Sequence, residues 1–239
     1  MTFEKIDESL LAFKEKMITQ LSFDNHLSQN ELVRPTKDDS ELMQISDYLV
    51  GFSTTPKSYC VGCVDMVNST KISATLPQRQ LSTYYEVFLN SMSIVISTFG
   101  GKVIKNIGDC LLYYFPESLN SKTEGLKKSL DCGLAMIDSH KTICKQLYAK
   151  RLPRLDYRIS ADYGSVIIMN TSNSSSIDLI GPPINMCTKI NRSAEKNEFV
   201  VGGDLKQVIQ KIDGYRLHQI DGYSLGFRQT YPVFKVERK

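Results

Sequence analysis

Apolar residues recur every three or four positions over residues 3 to 21, at Ile6, Leu10, Phe13, Met17 and Leu21, with charges between them. That period predicts an amphipathic helix. Residues 22 to 38 lose the period and contain Pro35, which reads as a linker or loosely packed segment. Asp38-Asp39-Ser40 is a cap signal for a short helix over about 40 to 50. From Tyr59 the pattern changes. "YCVGCVDMV" is an unbroken apolar run of strand length ending near a carboxylate, the signature of a buried central strand. "QRQLSTYYEVFLNSMSIVISTFG" places Leu81, Tyr84, Tyr85, Phe88, Met92 and Val95 at helical spacing and stops at Gly100-Gly101. "KVIKNIGDCLLYYF", residues 102 to 115, reads as a β-hairpin turning through Asn106 and Gly108.

A loop at Pro116 then leads to a second long helix over about 122 to 148. "DYRISADYGSVIIMN" predicts two strands turning near Gly164, "PPINMCTKINRSAEKN" a helix entered through prolines, and "EFVVGG" and "YPVFKVER" two further strands. "NTSNSSS" is a polar loop. The order β, α, β-hairpin, α, β-hairpin, α, β predicts an α+β sandwich: a mainly antiparallel sheet with helices on one face. The chain divides into an N-terminal helical extension and linker, 1–56, and one domain, 57–239.

Composition narrows the function classes. Of 239 residues 41% are hydrophobic and 23% charged, as in ordinary globular domains, and the formal net charge is only +3. There is no basic stripe of the kind nucleic acid requires and no apolar run long enough for a membrane span. The opening "MTFEKIDESL" is too polar for a secretory signal, so the six cysteines are expected to be reduced thiols in a cytoplasmic protein. Cys60 and Cys63 form a C-x-x-C, but on a strand positions i and i+3 point to opposite faces, which makes them core residues rather than ligands. His26, His140 and His218 are scattered and make no zinc pattern. Gly202-Gly203-Asp204 reads as a turn.

Two carboxylates remain. Asp65 ends the first core strand and Asp109 follows the hairpin glycine, so they meet at one sheet edge if strand and hairpin are neighbours. Spacing alone admits two readings. Either both are solvated turn aspartates, or they hold a divalent cation that relieves their repulsion and takes substrate phosphates as further ligands.

Four ordered motifs resemble the class III nucleotidyl cyclases, which make cyclic AMP or cyclic GMP. They are Asp65-Met66-Val67-Asn68-Ser69-Thr70, then Gly100 through Asp109 ("GGKVIKNIGD"), then Arg158 through Val166 ("RISADYGSV"), then Asp178 through Lys189 ("DLIGPPINMCTK"). The resemblance covers about residues 57 to 237. It implies the ferredoxin-like cyclase sandwich and an adenylate cyclase that converts ATP to 3′,5′-cyclic AMP and pyrophosphate. Asp65 and Asp109, with the backbone carbonyl of Met66, would hold two Mg²⁺ or Mn²⁺ ions per site. The amides of Asn68, Ser69 and Thr70 would lie beside the phosphates. Lys105 would donate to the adenine ring and Asp178 would accept from its amino group, a pair that complements adenine and mismatches guanine. Asn185 would orient the ribose. It also implies head-to-tail homodimers, with metal ligands from one subunit and base and ribose contacts from the other.

Two positions depart from the family pattern. Lys189 stands where the family places an arginine that stabilises charge on the transferring phosphoryl group, and lysine lacks the planar fork. Arg192 lies at i+7 from Asn185, on about the same helical face, and either supplies that guanidinium or is a surface charge. Near the C-terminus Leu225 occupies the place of a phosphate-binding lysine, with Arg228 nearby as a substitute. An active adenylate cyclase and a catalytically weak or inactive ATP-binding regulatory or dimerisation module therefore both remain open.

Overall fold

The computed structural model describes residues 50–121, 123–171, 177–226 and 229–239. In chain order the elements are β1 (Val50–Phe52), β2 (Lys57–Met66), α1 (Ser69–Thr75), α2 (Gln78–Thr98), β3 (Lys102–Ile107), β4 (Cys110–Phe115) and a 3₁₀ turn (Pro116–Ser121). They continue with α3 (Thr123–Ala149), β5 (Tyr157–Thr171), β6 (Ile177–Ile180), α4 (Pro182–Ile190) and a second 3₁₀ turn (Asn191–Ser193). The chain closes with β7 (Phe199–Gly202), α5 (Gly203–Ile209), β8 (Tyr215–Gly226) and β9 (Gln229–Arg238).

The main unit contains residues 54–168 and 178–239. Its strands run in the order β3-β4-β2-β5-β7-β9-β8, with β6 also paired to β5. All pairings along that order are antiparallel except β5 with β7. This is the mixed α+β, mainly antiparallel architecture that the sequence predicts. In the smaller unit β1 pairs antiparallel with the end of β5, Val50 opposite Thr171 and Phe52 opposite Met169. The helices expected over 3 to 21 and 40 to 50 lie outside the described residues, save Val50, which is in a strand.

α2 forms because its apolar residues fall on one stripe: Tyr84, Phe88, Met92 and Ile96 are buried at a strict spacing of four. It stops where Gly100 takes a φ of +79°, a left-handed conformation glycine adopts without a Cβ penalty. α3 lays Leu126, Leu130, Met136, Ile143 and Leu147 against the same core, which also holds Val64, Ile159 and Ala161 of the sheet. Side chains alternate across a sheet, so Ser160 and Asp162 face the other way. There the Ser160 hydroxyl donates to the Cys187 carbonyl at 2.7 Å, which places α4 on the face opposite α2 and α3, so the expectation of helices on one face holds for α2 and α3 but not for α4.

Two expectations need correction. Residues 157 to 171 form one continuous strand, not two. Gly164 stays in the ladder opposite Tyr59, and its bare Cα lets the Pro183 ring of α4 approach to 3.4 Å of where a Cβ would stand. Gly202-Gly203-Asp204 is not a turn but the end of β7 and the start of α5. A Cβ on Gly202 would meet the Asp162 carboxylate at 2.6 Å. That buried carboxylate accepts from the Leu205 amide (3.1 Å) and the Tyr231 hydroxyl (2.8 Å), so it ties α5 and β9 to β5.

β2 is hydrogen-bonded on both sides, to β4 and β5. Gly62 sits opposite Tyr113, and a Cβ there would lie 2.2 Å from the ring. Gly62→Ala is expected to cost about 1–3 kcal/mol through overpacking, read as a lower urea midpoint at unchanged slope.

Candidate active site

Register brings the two carboxylates together. Asp65 is the ladder partner of Cys110 on β4, and Asp109 is the residue immediately before it in the β3–β4 turn. The turn closes because Gly108 takes a φ of +61°. Both aspartates are half-buried. Burial, and then the Asp109 charge, push the Asp65 carboxyl up to about 6, against the pull of Arg158 and Arg192; the two carboxyls also share a hydrogen bond. Two hard oxygen donors that resist being charged together fit a divalent cation such as Mg²⁺ or Mn²⁺, which would relieve the repulsion that raises Asp65. No group of three or more His, Cys, Asp or Glu side chains that could hold a metal occurs among the described residues. Any ion here would complete its shell with backbone, substrate and water.

Asp162, almost fully buried, is also pushed up to about 6, first by burial, although Tyr231 and the Tyr163 and Leu205 amides favour its charged form. The sign for stability follows. Between about pH 4 and pH 6 the folded chain binds more protons at Asp65 and Asp162 than the unfolded chain, so stability falls as pH rises through that window. In chelator, thermal melting is expected to be higher at pH 5 than at pH 7, and Asp162→Asn is expected to flatten the slope. A melting curve independent of pH in that range would count against both shifts.

Beyond Asp65 the chain turns through Asn68, which takes a left-handed conformation (φ 61°, ψ 28°) and caps α1 with its backbone. The first-turn amides of a helix have no intrahelical acceptor, which leaves those of Ser69 and Thr70 without a partner inside α1. Met66 ends β2 opposite Tyr157.

A second cluster holds the other sequence-predicted residues. The Lys105 ammonium on β3 is hydrogen-bonded and ion-paired with Asp178 Oδ2 on β6, and Asp178 Oδ1 accepts from the Leu179 amide at 2.8 Å. The pair is 73 residues apart in sequence. With 44% of the lysine side chain and 22% of the aspartate exposed, its stabilisation is of the order of 0.2–1 kcal/mol, so a ligand can part it cheaply. On α4, Pro183, Cys187 and Ile190 are buried, which leaves Asn185 and Lys189 on the exposed face one turn apart.

Arg192 lies in the 3₁₀ turn that continues α4 and is exposed, as Asn185 and Lys189 are. Its position is set by Asn191, a buried residue whose amide donates to the carbonyls of Cys63 (3.4 Å) and Arg158 (3.2 Å) and to the Ser160 hydroxyl (3.1 Å). Arg158, the ladder partner of Asp65, has a buried Nε with no hydrogen-bond partner. Arg228 lies outside the described residues; Leu225 is in β8.

Sequence reading gave no role to Arg158, Asp162 or Asn191. Asn191 carried one usable signal, a polar residue at a helix end. The thiols of Cys63 and Cys110 also escaped it: their sulfurs lie 3.1 Å apart, and that contact and burial hold the Cys63 thiol protonated.

Comparison with known proteins identifies the class. The model of the adenylate and guanylate cyclase catalytic domain matches residues 54–234, and the chain belongs to that family. It is 28% identical over 120 residues to a photoactivated adenylate cyclase subunit beta-like protein of Euglena gracilis, a match spanning 45% of this chain and 13% of that protein. Among solved structures, the adenylyl cyclase CyaB from P. aeruginosa superposes with a TM-score of 0.69 at 19% identity, covering 80% of this chain and 97% of the other. The dimeric guanylyl cyclase domain of the RhoGC fusion protein from the aquatic fungus Blastocladiella emersonii gives 0.64 at 15%, covering 79% and 99%. Both adenylyl and guanylyl cyclases thus share this fold. Among the described residues no helix is long and apolar enough to cross a membrane.

Proposed function

We propose that the domain is an adenylate cyclase that converts ATP to 3′,5′-cyclic AMP and pyrophosphate. The observation that carries the reading is the Lys105–Asp178 pair, a hydrogen-bond donor and an acceptor held side by side on β3 and β6. Adenine presents a ring acceptor beside an amino donor, so it can take both groups as it parts them. Guanine presents the reverse order on that edge, and a buried mismatch of this kind is strongly rejected.

In the reaction the ribose 3′-oxygen bonds to the α-phosphorus, the bond from that phosphorus to the β-bridging oxygen breaks, and pyrophosphate leaves. Two divalent ions, when bound, favour loss of the 3′-hydroxyl proton and offset charge on the leaving group. Asp65, Asp109 and the Met66 carbonyl would hold them. The amides of Asn68, Ser69 and Thr70 receive phosphate oxygens. Asn185 orients the ribose, and Lys189 places its charge near the transferring phosphoryl group. Arg228 is a further candidate for the terminal phosphates.

The two clusters serve one site across a head-to-tail homodimer, with Asp65 and Asp109 from one subunit and Lys105, Asp178, Asn185 and Lys189 from the other. Val103 and Ile107, apolar and exposed on the hairpin between the clusters, give that pairing surface to bury.

The test is direct: purified protein with ATP or GTP and Mg²⁺ or Mn²⁺, assayed for cyclic nucleotide. Cyclic AMP from ATP, in excess of cyclic GMP from GTP, supports the reading. Metal-dependent ATP binding without product favours the inactive regulatory module, for which the exchanges at Lys189 and Leu225 are the specific grounds.

A further inference from the structure

We propose that Cys63 and Cys110 are a redox modification site beside the two carboxylates: a peroxide closes them into a reversible disulfide that disturbs the Asp65–Asp109 edge. The bond itself is independent of the cyclase reading. Its effect on metal binding and turnover rests on that reading.

Geometry selects this pair. The C-x-x-C neighbour of Cys63 is out of reach: Cys60 and Val64 pack into the core with α2 and α3, so Cys63 faces the other side of β2. Across the ladder Cys63 stands opposite Leu112 and Cys110 opposite Asp65. The two cysteines are therefore diagonal neighbours on one face of the sheet, and their sulfurs lie 3.1 Å apart. All six cysteines are free thiols, and among the described residues this is the one pair in contact. Cys60, Cys132 and Cys187 are buried, and half-buried Cys144 meets His140 and the Leu155 carbonyl instead of another thiol.

Cys110 is half-buried and Cys63 almost fully buried, so oxidation starts at Cys110. Its thiol takes one oxygen from hydrogen peroxide, giving a sulfenic acid and water. That acid condenses with the Cys63 thiol, which forms the S–S bond and releases a second water. The two sulfurs are oxidised and the peroxide is reduced; a dithiol reverses the change by exchange. Transient bonds of this kind are the ones a reducing compartment uses for sensing. Closing the contact to a bond of about 2.05 Å draws β2 and the start of β4 together by up to about 1 Å. One peptide separates Cys110 from Asp109, and Asp65 is the ladder partner of Cys110, so both carboxylates are tied to the backbone that moves.

The test treats the full chain with hydrogen peroxide, then unfolds it, alkylates the remaining thiols and maps the peptides by mass. Two of the six thiols are expected to be lost to a Cys63–Cys110 link and recovered in dithiothreitol. Retention of all six, a sulfinic acid at Cys110, a link between subunits, or a link through Cys60, Cys144 or Cys187 overturns the inference. Cys110→Ser is expected to keep its remaining thiols through the treatment, and Cys144→Ser to oxidise as wild type does. Melting temperatures control for misfolding, and Cys110→Ser changes only a half-buried side chain, so it reports even where Cys63→Ser fails to fold. Mn²⁺ affinity is then measured without turnover. Oxidation is expected to weaken it about tenfold or more and to lower cyclic nucleotide output about a hundredfold, with Cys110→Ser insensitive in both. A disulfide that forms and changes neither overturns its effect on the site and leaves the cyclase reading in place. A reduced chain that binds no Mn²⁺ counts against the metal-site reading instead, and the alkylation pattern alone then decides the disulfide.

Discussion

Asp109→Ala is expected to lower cyclic nucleotide output by about a thousandfold or more and to leave the chain folded. Two independent arguments set those expectations. Divalent ions stabilise transition-state charge by several kcal/mol, and each 1.4 kcal/mol is about tenfold in rate. The proposed site offers two side-chain ligands, Asp65 in the ladder opposite Cys110 and Asp109 in the turn just before it, so losing one is expected to remove most of the hold. Stability should move the other way. Asp109 is one reason the Asp65 carboxyl is pushed up to about 6, so its removal lets Asp65 fall toward the ordinary carboxylate range and relieves repulsion at neutral pH. In chelator at pH 7 the variant is expected to melt no lower than wild type. Activity comes from product chromatography and stability from the melt. Retained turnover would remove Asp109 from the site, and a collapsed fold would make it a structural residue.

The second large effect concerns the base. Lys105→Glu replaces the donor with an acceptor and sets two carboxylates side by side at positions 105 and 178. The value of kcat/KM for ATP is expected to fall at least about a hundredfold, with the ratio of GTP to ATP turnover rising by a similar factor. The fold should not notice, because the native ion pair is partly exposed and weak. An unchanged ratio would dissociate Lys105 from base recognition; a wild-type preference for GTP would reverse the assignment of both residues.

Much of this was legible along the chain. α2 matches the predicted helix because its buried stripe has the strongest period available, and the hairpin around Gly108 was readable because turn glycine and strand apolar residues agree. Asp65 and Asp109 could be placed at one edge on the condition that strand and hairpin are neighbours, which the β2–β4 pairing meets. What failed was geometry that depends on a partner element. Gly164 looks like a turn until Pro183 is seen to need its bare Cα. Gly202 looks like a turn until Asp162 is seen to occupy the space of its missing side chain. In each case the deciding contact comes from more than ten residues away, where periodicity carries no information.

The exposed face of α4 has an evolutionary consequence. Pro183, Cys187 and Ile190 hold the helix to the sheet, while Asn185 and Lys189 are exposed on its other side. Packing against the sheet therefore constrains position 189 less than positions 183, 187 and 190. Asp65, at the end of the strand hydrogen-bonded on both sides, sits where change is far less free. A domain of this kind can change at the exposed rim of α4 while its fold persists.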